Sequence, residues 1–159
     1  MKKSRSGNLP VKPSLKKGLA VMLGILFGLS IFTFYHAKGT SYFFDDPESC
    51  MNCHIMREQF DSWAQSSHKA VATCNACHTP KDFLGKYASK GLNGWNHSLA
   101  FTTAQFQEPL QIKEFNEKIV QKNCIRCHEI QISQMRDFGF SEELDCLSCH
   151  GNVGHGNRR

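Results

Sequence analysis

From Gly18 to Tyr35 the chain is uniformly apolar, with no charged residue and only Ser30 and Thr33 as aliphatic hydroxyls. A bilayer's hydrocarbon core takes roughly 20 residues of helix to cross, so this run predicts a membrane helix near the short limit. Beyond it the apolar positions scatter. Helical spacing returns between Leu110 and Gln121, where Ile112, Phe115, Ile119 and Val120 recur on one face. A polar face of the same period precedes it: Lys86, Lys90, Asn93 and His97 stand at i, i+4, i+7 and i+11. Gly85, Gly91 and Gly94 weaken that second helix, by up to about 1 kcal/mol for each interior glycine. The pattern predicts few strands, short helices and long irregular connections.

Charge assigns a side to the apolar run. Lys2, Lys3, Arg5, Lys12, Lys16 and Lys17 precede it with no acid among them, and the other 142 residues hold 13 basic against 14 acidic side chains. The net charge of +5 is thus a property of the tail. A basic tail could touch nucleic acid, but beside an apolar run it marks the cytoplasmic side of a membrane. No nucleic-acid partner is expected. A cleaved secretory signal is the alternative, yet signal cores usually span about 7 to 15 residues, and Tyr35-His36-Ala37-Lys38-Gly39 offers no clear small-x-small cleavage site. The expected organisation is a cytoplasmic tail over 1–17, an anchor over 18–36 and an outer domain over 37–159. Phe32, Phe34, Tyr35, Tyr42, Phe43 and Phe44 fall where an aromatic belt meets the outer headgroups, with His36 among them.

All eight cysteines lie in four Cys-x-x-Cys-His motifs: Cys50, Cys53 and His54; Cys74, Cys77 and His78; Cys124, Cys127 and His128; Cys146, Cys149 and His150. Two thiols at this spacing can add to the two vinyl groups of one haem, placing the adjacent His under the iron. A zinc ribbon does not require His after every second Cys, and a disulfide framework would not produce four identical motifs. Four covalently bound haems c therefore supply much of the core. The predicted fold is mainly α with much irregular structure: one N-terminal transmembrane helix and a small multihaem cytochrome c domain. Covalent haem of this type belongs in the bacterial periplasm, which agrees with the charge-derived orientation. The first cysteines are 24, 50 and 22 residues apart, which reads as two dihaem units joined by a longer connection.

Low-spin haems take a second axial ligand, commonly another imidazole. His68, His97 and His155 remain for this, at most three ligands for four haems. His155 follows His150 too closely to reach the opposite face of the same haem, so a neighbouring haem suits it better. His68 can likewise serve a haem from another motif. The deficit leaves one haem to Met, Lys, a partner's residue or no ligand, and Met56 stands beside the first motif alone.

The anchor, the four motifs in this order, the first motif's form Cys50-Met51-Asn52-Cys53-His54-Ile55-Met56, Ser67-His68-Lys69 before the second, and the closing run from Cys146 to His155 resemble a known family. It is the small, membrane-anchored tetrahaem subunit of cytochrome c nitrite reductase, within the tetrahaem cytochrome c quinol dehydrogenases. The resemblance covers nearly the whole chain from the anchor onward. It implies that Met56 replaces His54 at the first iron, whose other face carries no strong ligand and lies beside a quinol site. It implies further that His78, His128 and His150 are proximal ligands, that His68 and His155 are distal ones, and that one haem borrows a ligand from the catalytic partner.

Lys90 best fits the family's quinol-pocket lysine. The family's acid over the first haem is replaced here by His97 or Asn93; His97 either accepts a quinol proton or ligates a haem, and an ordinary solvated basic face is the alternative for the whole segment. The activity implied is menaquinol oxidation at the inner membrane, with electrons passed to a pentahaem cytochrome c nitrite reductase catalytic subunit. Membrane lipid and menaquinol are the other expected partners. An anchored electron carrier, or a dehydrogenase feeding a different periplasmic reductase, are the alternatives.

Overall fold

The structure, a computed structural model, describes residues 13–139 and 144–156; Lys2, Lys3, Arg5 and Lys12 of the basic tail lie outside them. Two units separate, Met1–Thr40 and Ser41–Arg159.

The first unit is helix α1, Pro13–His36. Pro13 opens it, a position where the missing N–H costs nothing. It begins before the apolar run and takes in Lys16 and Lys17, whose long stems let the ammonium groups reach water. At about 1.5 Å per residue its 24 residues span about 36 Å, enough for a hydrocarbon core of about 30 Å. Ser30 Oγ donates to the Leu26 carbonyl at 2.8 Å, so its hydroxyl is satisfied within the helix. Ser14–His36 is long and apolar enough to cross a membrane.

The second unit is helical and irregular, with no strand among the described residues. Its helices are α2 (Pro47–Cys50), α3 (Arg57–Ala64), α4 (Cys74–His78), α5 (Phe83–Thr103), α6 (Glu114–Cys127), α7 (Glu129–Asp137) and α8 (Cys146–His150). Asp46, Asp82 and Asp145 cap α2, α5 and α8 by accepting from backbone N–H groups of the first turn. The predicted polar face lies on a single helix, α5, which runs through all three glycines. Gly94 has a packing reason: a Cβ there would stand 3.2 Å from the Tyr42 ring. The helix expected from Leu110 begins only at Glu114, after Lys113 in extended conformation, so Leu110 and Ile112 fall outside it.

Only Ile119 and Ile132 are buried apolar side chains among the described residues. A unit of this length built on aliphatic packing would bury many more. Its organisation comes instead from side-chain amides that grip backbone. Asn123 on α6 donates from Nδ2 to the carbonyls of Cys77 at 2.8 Å and Thr79 at 2.9 Å. Gln121, two residues earlier, donates to the Leu144 carbonyl and accepts from Cys146 N–H at 3.0 Å. One helix thus holds the second motif, carries the third and holds the fourth.

Candidate multihaem centre

In the second, third and fourth motifs both cysteines lie in one helix, where residues three apart share a face, whereas in the first Cys50 ends a helix and Cys53 is extended. Cys74–His78 and Cys146–His150 are the helices α4 and α8; Cys124 and Cys127 close α6; Cys50 closes α2, and His54–Met56 forms a 3-10 turn. All eight thiols are free, none in a disulfide. Among the described residues no three His, Cys, Asp or Glu side chains converge as a metal-ion site, whereas a zinc ribbon would gather its thiolates in fours.

The motifs neighbour one another in chain order. The Cys50 and Cys74 thiols are neighbours: Cys74 pulls the Cys50 thiol down to about 7, and Cys50, with burial, pushes Cys74 up. Burial and then the Cys127 charge raise Cys77; burial and then Cys146 raise Cys124. First, second, third and fourth attachment points thus form a continuous series.

Two histidine pairs face each other across the unit. The His78 and His155 ring centroids are 5.8 Å apart, and those of His68 and His128 are 6.2 Å apart. Two imidazoles on opposite sides of one metal, each bonded at about 2 Å, would place their ring centres about 6 Å apart. These pairs therefore fit bis-imidazole ligation of the iron between them. Each pair joins a motif histidine to a histidine remote in sequence. The Nδ1 of His155 lies 3.1 Å from the Gln59 carbonyl, which can only accept, so Nδ1 carries the proton and the tautomer keeps its lone pair on Nε2. His68 Nδ1 is buried with no hydrogen-bond partner. Burial, then the His155 charge, lower His78 to about 4, keeping it in the neutral form a metal requires.

His54 and His150 are exposed, and neither faces another imidazole. Met56 is half-buried at the end of the 3-10 turn. His36, predicted as interfacial, contacts Phe32 and Tyr35 of its own helix.

Around the first motif the polar face of α5 divides. Lys90 is buried, at 7% exposure, and donates from Nζ to the Phe44 carbonyl at 2.7 Å and to Asp45 Oδ1 at 3.1 Å, with the Tyr87 ring 5.7 Å away. Lys86 pairs with the other oxygen of Asp45, and Asn75 Nδ2 donates to Oδ1 at 2.8 Å. The Lys86 hydrogen bond outweighs the opposing effect of burial and, with Lys90 adding to it, holds the Asp45 carboxyl below its ordinary range. Lys90 is close enough to favour the Cys50 thiolate.

Asn93 is committed elsewhere, in a reciprocal amide pair with Asn116 at 3.0 Å each way. His97, further along, has its basicity lowered first by partial shelter of its ring and then by the Lys113 ammonium. The carboxylate set against Lys90 is therefore Asp45, which sequence reasoning missed. Its neighbour Asp46 has a helix-capping signal before Pro47, whereas Asp45 has none.

Four thiol pairs, three of them on helices and each with an adjoining imidazole, on a unit that follows a membrane-length apolar helix, define a multihaem c-type cytochrome. The pattern of the NapC/NirT cytochrome c family, N-terminal region, matches residues 12–159, and the chain belongs to that family. The cytochrome c-type protein NrfH of Wolinella succinogenes is 38% identical over 151 residues, covering 87% of this chain and 85% of the relative. The cytochrome c-type protein NapC of Escherichia coli K12 is 28% identical, covering 68% of this chain and 67% of that one. The fold matches a chain in the crystal structure of the cytochrome c nitrite reductase NrfHA complex bound to the HQNO inhibitor. There the TM-score is 0.62 with 23% identity, over 91% of this chain and 92% of that chain.

Proposed function

We propose that this chain is a membrane-anchored menaquinol dehydrogenase that delivers electrons to a periplasmic multihaem nitrite reductase, the partner on which nitrite becomes ammonium. The observation that carries this reading is the inequality of the sites. Helix α6 carries the third motif and grips the second and fourth, whereas the first motif stands beside Met56 and the Lys90–Asp45 pair. The likeness to NrfH supports the choice of partner. Residues 1–17 are the cytoplasmic tail, 18–36 the inner-membrane anchor and 37–159 the periplasmic haem domain.

Four haems attached at Cys50 and Cys53, Cys74 and Cys77, Cys124 and Cys127, and Cys146 and Cys149 would supply one-electron relays that separate the two electrons of a quinol. His78 with His155 would hold the second haem and His128 with His68 the third. His150 would hold the fourth together with a residue of the reductase, and Met56, in place of His54, the first.

For the substrate, Lys90 presents an ammonium already oriented by two oxygens, suited to donating a hydrogen bond to a quinol hydroxyl oxygen. Asp45 holds that ammonium in place and can take a proton through it. His97, kept neutral at pH 7 by its surroundings, has an acceptor nitrogen for the second. Oxidation of one quinol releases two protons and two electrons, so both acceptors are needed.

The test is reconstitution of the purified holoprotein in liposomes with menaquinol and a pentahaem nitrite reductase. Menaquinol alone should reduce the haems, and adding the reductase and nitrite should yield ammonium. No haem reduction by menaquinol makes the chain a carrier; reduction without onward transfer assigns it to another reductase.

A further inference from the structure

Helix α5 is built inside out. Its polar side chains face the protein: Lys86 and Lys90 reach Asp45, and Asn93 pairs with Asn116. Its apolar ones face away. Leu84 is 79% exposed, Trp95 69%, Leu99 50% and Leu92 47%, and Ala88, exposed too, lies among them. At 3.6 residues per turn these five fall within an arc of about 80°, opposite the lysines, and the arc holds no charged residue. A helix lying on a water-soluble body shows the reverse arrangement. A contiguous apolar stripe of this kind needs a cover.

The first haem site does not supply one. Lys90 acts on Cys50, and the Tyr42 ring that abuts Gly94 is itself sheltered and close to Cys53 and Cys50, so the motif lies on the lysine side of α5. Two observations point instead to lipid. The hydroxyls in the C-terminal half of α5 are turned back on the helix: Ser98 donates to the Gly94 carbonyl at 2.8 Å, Thr102 to Ser98 at 2.7 Å and Thr103 to Leu99 at 2.8 Å. Each is an i to i−4 bond, the device Ser30 uses in the apolar helix α1, and it removes a donor that hydrocarbon could not satisfy. In addition, the haem unit begins at Ser41, while α1 ends at His36. The four intervening residues extend at most about 14 Å, so an anchored chain keeps a bilayer surface permanently within reach of the unit.

We propose that α5 is a second membrane contact, lying in the interface with Leu84, Ala88, Leu92, Trp95 and Leu99 against the acyl chains. This rests on the anchor assignment made under Proposed function. The helix then holds lipid on one face and the Lys90–Asp45 pair on the other, so a quinol headgroup leaving the bilayer has a single helix to pass.

The experiment is photocrosslinking of the full-length holoprotein in phosphatidylethanolamine and phosphatidylglycerol vesicles, with p-benzoylphenylalanine placed singly at Phe27, Trp95 or Lys118. Mass spectrometry identifies the adducts. Phospholipid adducts are expected at 27 and 95, with at least a tenfold lower yield at 118, an exposed site on α6. Lipid at 27 with none at 95, or a second copy of the chain captured at 95, overturns the contact while leaving the anchor standing. No lipid at 27 removes the anchor itself.

Discussion

The second, third and fourth motifs and the first are held by different chemistry. The three share α6, whose Asn123 and Gln121 bond to main-chain atoms of the neighbouring motifs, and two of them present facing imidazoles. The first has neither device; what surrounds it is a carboxylate with two lysines on it. Neutral amides gripping backbone fix positions whatever the pH or salt. An ion cluster whose carboxylate is half-exposed responds to both. Electron relays need fixed separations, whereas a site that admits a molecule and releases its protons needs groups that can change partners.

The largest effect tests the imidazole pairs. His155→Ala should convert one haem, the second, from low-spin to high-spin, and His68→Ala should do the same for the third, read by electron paramagnetic resonance. Met56→Ala should perturb the first alone, and His97→Ala none of the other three. Retention of all low-spin signals in His155→Ala would dissolve the distinction between the sites. Next in size is Asn123→Ala, which leaves the Cys77 and Thr79 carbonyls without their donor. A loss of about 2 kcal/mol is expected in chemical unfolding of the holoprotein, with the first haem's spectrum unaffected.

The smallest concerns Asp45. Asp45→Asn should lower menaquinol kcat/KM about tenfold, the equivalent of about 1.4 kcal/mol, without moving any haem spectrum. Its stability effect depends on pH. A carboxyl held below its ordinary value binds its proton less readily folded than unfolded, so its contribution is present above the unfolded value near about pH 4 and disappears as pH falls through the lowered one. Wild type and Asp45→Asn should therefore differ slightly at pH 7 and converge in strong acid. A gap that widens on acidification reverses the assigned direction.

The four cysteine–histidine motifs were legible because haem attachment, as read from the sequence, demands their spacing. The membrane-length helix was legible because composition alone decides it. Pairings were not. His68 and His128 are sixty residues apart and His78 and His155 seventy-seven, and no local rule relates them; only the placement of α6 between motifs does. Helix α5 was foreseen as weakened by glycine, yet Gly94 is where the Tyr42 ring comes close, a tertiary reason invisible in propensity. The start expected at Leu110 failed because periodic apolar residues continue through Ile112 while the backbone at Lys113 is still extended. Asp45 escaped notice because its partners lie forty-one and forty-five residues downstream.

On the proposed ligation His150 and His155 would serve different haems, yet they share one stretch of chain, with the Val153 N–H bonded to the His150 carbonyl at 3.3 Å between them. The fourth and second sites are thus mechanically in series. A tug on the fourth motif is transmitted along five residues to the imidazole beside His78, which the Gln59 carbonyl helps to hold. On that ligation, docking against the fourth motif would be felt at His155, with no movement of the helices that carry the thiols.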